Sequence, residues 1–89
     1  MTIQKIALGQ IYTTPGIQQA IPFEALVAAL ARHSRGDWGD LSEEDKQVNE
    51  EAIETGDRIM SAYVSNGVRF WIITEGEPRY TTVLLPDEY

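Results

Sequence analysis

The pair Asn66-Gly67 constrains this chain more than any other two residues. It separates IMSAYVS from VRFWIIT, two runs rich in β-branched and aromatic residues. Asn-Gly accepts positive φ at both positions, as a two-residue type I′ turn requires, and the twist of that turn matches the strands it joins. A β-hairpin follows, with its register set by the turn: Val64 opposite Arg69, Ala62 opposite Trp71, Met60 opposite Ile73 and Arg58 opposite Glu75. Gly76-Glu77-Pro78 marks a second turn into RYTTVLL, a third strand. Carrying the register through that turn places Val83 beside Trp71 and Leu84 beside Phe70. One face then holds Met60, Ala62, Val64, Trp71, Ile73, Val83 and Leu85, and the other Ile59, Tyr63, Val68, Phe70, Ile72, Tyr80 and Leu84. Both faces are apolar, so each is expected to be covered: one by a helix, the other by the N-terminal segment, a second copy or a partner.

Helical signals occupy the first two thirds. Thr14-Pro15 reads as an N-cap followed by proline in the first helical position, opening a short turn through Gly16–Ala20 that ends at Pro22. From Pro22 to about Ser34, Phe23, Leu26, Val27 and Leu30 recur at helical spacing and define the expected core stripe. Gly36 is placed to end that helix in the left-handed conformation. Ser42 caps a further helix running to about Thr55, with Glu43, Glu44 and Asp45 in its first turn and Gly56 as its stop. Its apolar face is thin: Val48, Ala52 and Ile53. Ile3, Ile6, Leu8 and Ile11 allow an extra N-terminal edge strand, weakened by Gly9. The expected architecture is α+β: two main helices, then a three-stranded antiparallel β-meander, in one small domain spanning residues 1–89.

Composition narrows the function classes. The chain has 89 residues, 43% of them hydrophobic and none of them cysteine, which excludes a disulfide framework and thiolate metal sites. MTIQKIALGQIYTTPG lacks the basic region and apolar run of a signal peptide, and no stretch approaches the roughly 20 apolar residues of a membrane span. A cytoplasmic protein without membrane association is the expectation. The net charge of −7 is concentrated: residues 37–57 hold nine acids (Asp37, Asp40, Glu43, Glu44, Asp45, Glu50, Glu51, Glu54, Asp57) against Lys46 alone. There is no basic patch to displace counterions, so direct nucleic-acid binding is disfavoured and a basic protein partner fits better.

The densest stretch is HSRGDWGD, residues 33–40, which contains the only histidine and one of two tryptophans. His33, Asp37 and Asp40 offer one nitrogen and two carboxylates, a set that a metal-dependent or acid–base enzyme would use. The spacing is not distinctive, however, and no nucleophile elbow, phosphate loop or dinucleotide fingerprint accompanies it. The alternative is a tight corner between two helices, with His33 at the rim of the core. Trp38 is then either a plug beneath that corner or an exposed anchor for a partner. Glu43, Glu50, Glu54 and Asp57, spaced at helical intervals, form one acidic stripe: either a solvated face, or a surface complementary to a basic groove.

The block HSRGDWGDLSEEDKQVNEEAIETGDRIMSAY, together with WIITE and TTVLLPDEY, resembles a family of short bacterial proteins of plasmids, prophages and integrated elements, labelled "plasmid-related protein" or "type I restriction endonuclease subunit M". The resemblance covers about two thirds of the chain. A methyltransferase of that kind needs a glycine-rich cofactor loop and an Asn/Asp-Pro-Pro-Tyr/Phe motif. Pro15, Pro22, Pro78 and Pro86 are never adjacent, so only the mobile-element context is implied. The expected function is a non-enzymatic acidic binding protein, such as an anti-CRISPR or anti-restriction inhibitor, occupying a basic nucleic-acid groove of a host protein. It would need no cofactor. Trp38, Asp40, Glu43, Glu44, Glu50, Glu51, Glu54 and Asp57 are its candidate contacts. The alternatives are a small enzyme centred on His33, Asp37 and Asp40, and a homodimeric accessory protein joined through a bare sheet face.

Overall fold

The computed structural model describes residues 4–89; Ile3, assigned above to the possible edge strand, lies outside them. The element order is β1 (Gln10–Thr13), α1 (Pro15–Ala20), α2 (Phe23–Ser34), α3 (Glu43–Thr55), β2 (Ile59–Ser65), β3 (Val68–Thr74) and β4 (Tyr80–Leu84), closed by a 3-10 turn at Pro86–Glu88. The fold is α+β, with helices preceding the meander. The sheet is mixed: in the order β1-β4-β3-β2, the N-terminal strand pairs parallel to β4.

The local signals act as their chemistry dictates. Thr14 accepts a hydrogen bond from the Ile17 N–H, and Ser42 from the Asp45 N–H. Gly56 stops α3 with φ of 80°. At the hairpin, Asn66 and Gly67 have φ of 49° and 78°, and Val64 pairs Arg69, Ala62 pairs Trp71 and Met60 pairs Ile73. The Arg58 guanidinium bonds Glu75 at 3.0 Å just beyond the last pair.

The second turn departs from expectation. Trp71 pairs Leu84 and Ile72 pairs Val83, one residue away from the register carried through from the first turn. The Glu75 N–H donates to the Tyr80 carbonyl, so four residues, 76–79, form the loop, and its Glu77-Pro78 peptide is cis. A slip of one residue exchanges the faces of a strand. Val83 therefore joins Tyr63, Phe70 and Ile72 beneath α1 and α2, where Ile17, Ile21 and Ala29 complete the main core. Leu84 and Tyr80 move to the opposite face with Trp71 and Ile73. That face is partly covered by the C-terminal turn, whose Tyr89 ring meets Trp71 edge-on at 5.8 Å.

The stripe of α2 is also rotated from its expected phase. Phe23 and Val27 are 73% and 48% exposed, whereas the residues buried on this helix are Ala29 and His33. Small Ala25 and Ala29 let the helix approach the sheet, and His33 lies one further turn along the same line. On α3, Val48 is exposed and Asn49 is buried in its place.

Asn49 explains how α3 attaches to the sheet. Its amide donates to the Met60 carbonyl at 2.7 Å and accepts from the Met60 N–H at 3.2 Å, filling the outward-facing backbone groups of edge strand β2. One step along, Ala62 bonds the Trp38 carbonyl and the Asp40 N–H. An edge strand left bare invites pairing with other chains; here two successive positions are closed by the protein itself. Asn49→Ala should lower stability by about 2 kcal/mol, because it strands two polar groups near the core. Val48→Ala, on the exposed side of the same helix, should change it by less than about 0.5 kcal/mol. Urea unfolding of the two variants checks the contrast.

Candidate functional site

The HSRGDWGD segment is a corner held at almost every residue. Gly36, at φ 86°, closes α2: its N–H donates to the His33 carbonyl and the Asp37 N–H to the Arg32 carbonyl, the paired bonds of a Schellman motif. The Asp37 carboxylate takes both Nε and Nη2 of Arg32, at 2.7 and 3.1 Å, and the Gly39 N–H. These bonds, the Arg32 guanidinium foremost, hold the Asp37 carboxyl below its ordinary value. Arg32 in turn lies 4.8 Å from the centre of the Tyr63 ring. The Tyr63 hydroxyl, its pKa pushed up to about 12 chiefly by burial, donates to the Asp37 carbonyl. Gly39, at φ 73°, lies so close to the Ala62 carbonyl that a Cβ there would collide with it.

His33 is completely buried, and both ring nitrogens are taken. Nδ1 lies 2.5 Å from the Ser61 hydroxyl and Nε2 lies 2.9 Å from that of Thr74. The Thr74 oxygen is 2.8 Å from that of Thr81, and Thr81 donates to the Leu8 carbonyl at 2.7 Å. These contacts fix the direction of each proton. A carbonyl only accepts, so the Thr81 hydrogen is spent on Leu8, and Thr81 accepts from Thr74. Thr74, its hydrogen spent, accepts from Nε2–H, which leaves Nδ1 to accept from Ser61. The result is a neutral Nε2–H tautomer in which both ring nitrogens and the Ser61, Thr74 and Thr81 hydroxyls are all paired. Burial lowers the His33 pKa from 6.5 to about 4.

That arrangement does not bring His33, Asp37 and Asp40 together as the acid–base and metal readings of this segment require. Asp37 bonds Arg32 and Gly39, Asp40 bonds Arg69, and neither carboxylate bonds His33. Among the described residues, no group of three or more His, Asp or Glu side chains is placed to hold a metal ion. Trp38, a candidate anchor, is instead the plug: it is 4% exposed, meets the His33 ring edge-on at 5.8 Å, and joins Ile6, Ala52 and Ile59 in a second core cluster.

The candidate acidic contacts divide into two sets. Glu50 is turned toward the corner, where it accepts the Trp38 indole N–H at 2.7 Å and faces Lys5 at 3.7 Å. Asp40 pairs with Arg69. Asp57 lies past the end of α3 and accepts from the Thr55 hydroxyl. Glu50 and Asp57 thus leave the expected stripe. Glu44, Glu51 and Glu54 are exposed and, among the described residues, form no ion pair; Glu43, whose side chain is 92% exposed, meets Lys46 only at 3.6 Å. Gln47, Glu50, Glu51, Glu54 and Thr55 line an open depression of about 530 Å³ along this face.

Sequence reasoning missed Ser61, Thr74, Thr81 and Asn49. Each is a polar residue at an inward position in an otherwise apolar pattern, and that interruption is the signal that could have found them. No family model matches the chain, nor does any curated protein or solved structure. Among the described residues, no helix is long and apolar enough to cross a membrane.

Proposed function

We propose that this protein is a non-enzymatic binding protein whose outward α3 face occupies a basic, nucleic-acid-binding groove on another protein. The carrying observation is the unpaired row Glu44, Glu51 and Glu54 on a helix whose other polar side is anchored to the sheet by Asn49. Five of the chain's seven bases are engaged with carboxylates, which leaves this row unneutralised. Charge sign supports the reading: of the six acids of α3, Glu50 is turned to the corner and Glu43 meets Lys46, and the outward side that remains is net negative.

The finer reading, an anti-CRISPR or anti-restriction inhibitor, draws on the resemblance of residues 33–89 to mobile-element proteins. The combined variant Glu44→Gln/Glu51→Gln/Glu54→Gln tests the mechanism. Immobilised wild-type protein should retain a basic polypeptide from bacterial lysate, and added duplex DNA or RNA should displace it. Three exposed charges at up to about 1 kcal/mol each make the expected loss in the variant about tenfold or more. Equal retention by a correctly folded variant would overturn the proposal.

A further inference from the structure

The two edges of the sheet are treated differently. At β2 the outward backbone groups of Met60 and Ala62 are filled by Asn49, Trp38 and Asp40. Among the described residues, nothing comparable is present at β1. The Thr14 N–H donates to the Val83 carbonyl, and the parallel register pairs Thr13 with Val83. In a parallel ladder this directs the backbone of Tyr12 and Thr14 toward β4, and that of Ile11 and Thr13 outward. Among the described residues, Ile11 and Thr13 have no backbone partner outside the sheet.

From the geometry we infer that β1 is a self-pairing edge: two copies of this chain join antiparallel through it, forming a continuous eight-stranded sheet. Three observations select a second copy as the occupant. Residues 9–22, which contain β1 and α1, form an uncharged run of fourteen residues in a chain that is 24% charged. Natural edges are commonly protected by charge, and this one has none. The Glu88 carboxylate, which reaches this run, is turned onto Thr14 and the Gly16 N–H. Second, the strand is self-complementary. With the two-fold axis at Tyr12, Ile11 of each copy exchanges both backbone hydrogen bonds with the other's Thr13, and the two Tyr12 rings meet across the axis. Ile11 and Tyr12, 46% and 52% exposed, would both be covered.

Third, the charge distribution permits this approach. The acidic helix packs against β2, at the far side of the order β1-β4-β3-β2. Pairing through β1 separates the two copies of β2 by seven strand spacings, about 33 Å, several times the Debye length of about 8 Å at physiological salt. Two molecules of charge −7 can therefore meet with their acidic helices pointing away from each other. The dimer would display one acidic helix at either end.

Tyr12→Cys tests the register directly, because the chain has no other cysteine. Residues facing each other in a non-hydrogen-bonded pair have Cα atoms about 4.5 Å apart, within the disulfide range of about 4.4–6.8 Å. Tyr12→Cys should oxidise to a covalent dimer at least tenfold faster than Val64→Cys on the opposite edge. Sedimentation should give wild-type protein about twice the 10.0 kDa chain mass at high concentration. Ile11→Pro removes an outward N–H without touching the β1–β4 bonds, and Ile11→Lys places like charges at the junction. Both should be monomeric with an unchanged circular dichroism spectrum. A wild-type protein that remains a monomer at millimolar concentration overturns the inference, and so does a dimer that survives both substitutions.

Discussion

Trp38→Ala is expected to destabilise the fold by about 3–5 kcal/mol, the usual effect of truncating a buried indole. Trp38 closes the cluster of Ile6, Ala52 and Ile59, lies against His33, and gives its N–H to Glu50. Its carbonyl also accepts from Ala62 on the edge of β2. One side chain thus ties the corner to α3, and its backbone ties the corner to the sheet. For a domain whose total stability lies between about 5 and 15 kcal/mol, the loss could leave the chain largely unfolded at 37 °C. Trp38→Phe keeps most of the packing and removes only the hydrogen bond. Glu50 is partly solvated and can recover water, so that change should be nearer 1 kcal/mol. Urea unfolding followed by far-ultraviolet circular dichroism orders the two variants. An alanine variant as stable as wild type would show that Trp38 does not fill the core.

The second large effect is loss of stability in mild acid. The folded His33 pKa of about 4 lies below the ordinary 6.5, so folding favours the neutral ring. Above pH 6.5 neither state binds the proton, and stability is level. As pH falls through 6.5 the unfolded chain takes up a proton that the folded chain refuses, and stability declines until the folded ring also titrates near 4. The loss across that window is about 3 kcal/mol. Ordinary carboxylates titrate near about 4, so the upper part of the window belongs to His33 alone. Lower down, loss of the Asp37–Arg32 pair adds to the decline, because the Asp37 pKa is also held down. His33→Gln should reduce stability at neutral pH and flatten its dependence between pH 5 and 6.5. A wild-type stability that is level over that range would contradict the buried neutral ring.

How far the sequence could be read depends on the range of each interaction. Thr14, Ser42, Gly56 and Asn66-Gly67 act within three or four residues, and the elements they delimit are found where those residues place them. The second turn was harder. Gly76-Glu77-Pro78 signals a loop without fixing whether three or four residues lie between the strands, and that single residue decides which face Val83 and Leu84 occupy. The phase of α2 was not legible from hydrophobicity, since Phe23 and Val27 are as apolar as any residue that is buried. It is set by His33, whose partners Ser61 and Thr74, with Thr81 beyond Thr74, come from three strands, 28 to 48 positions away. The acidic row shows the same limit. Composition reveals its charge, but only the packing of Trp38 distinguishes Glu50, which holds the corner, from Glu51 and Glu54, which face outward.

HSRGDWGD is therefore a framework for the acidic helix, with its histidine locked as a neutral core residue. Titration of the His33 ring by nuclear magnetic resonance tests this most directly. The expected result is an Nε2–H tautomer that does not protonate until the pH nears 4. A midpoint near 6.5, with either nitrogen exchanging freely with water, would contradict the buried network and return His33 to the set of groups available for acid–base chemistry.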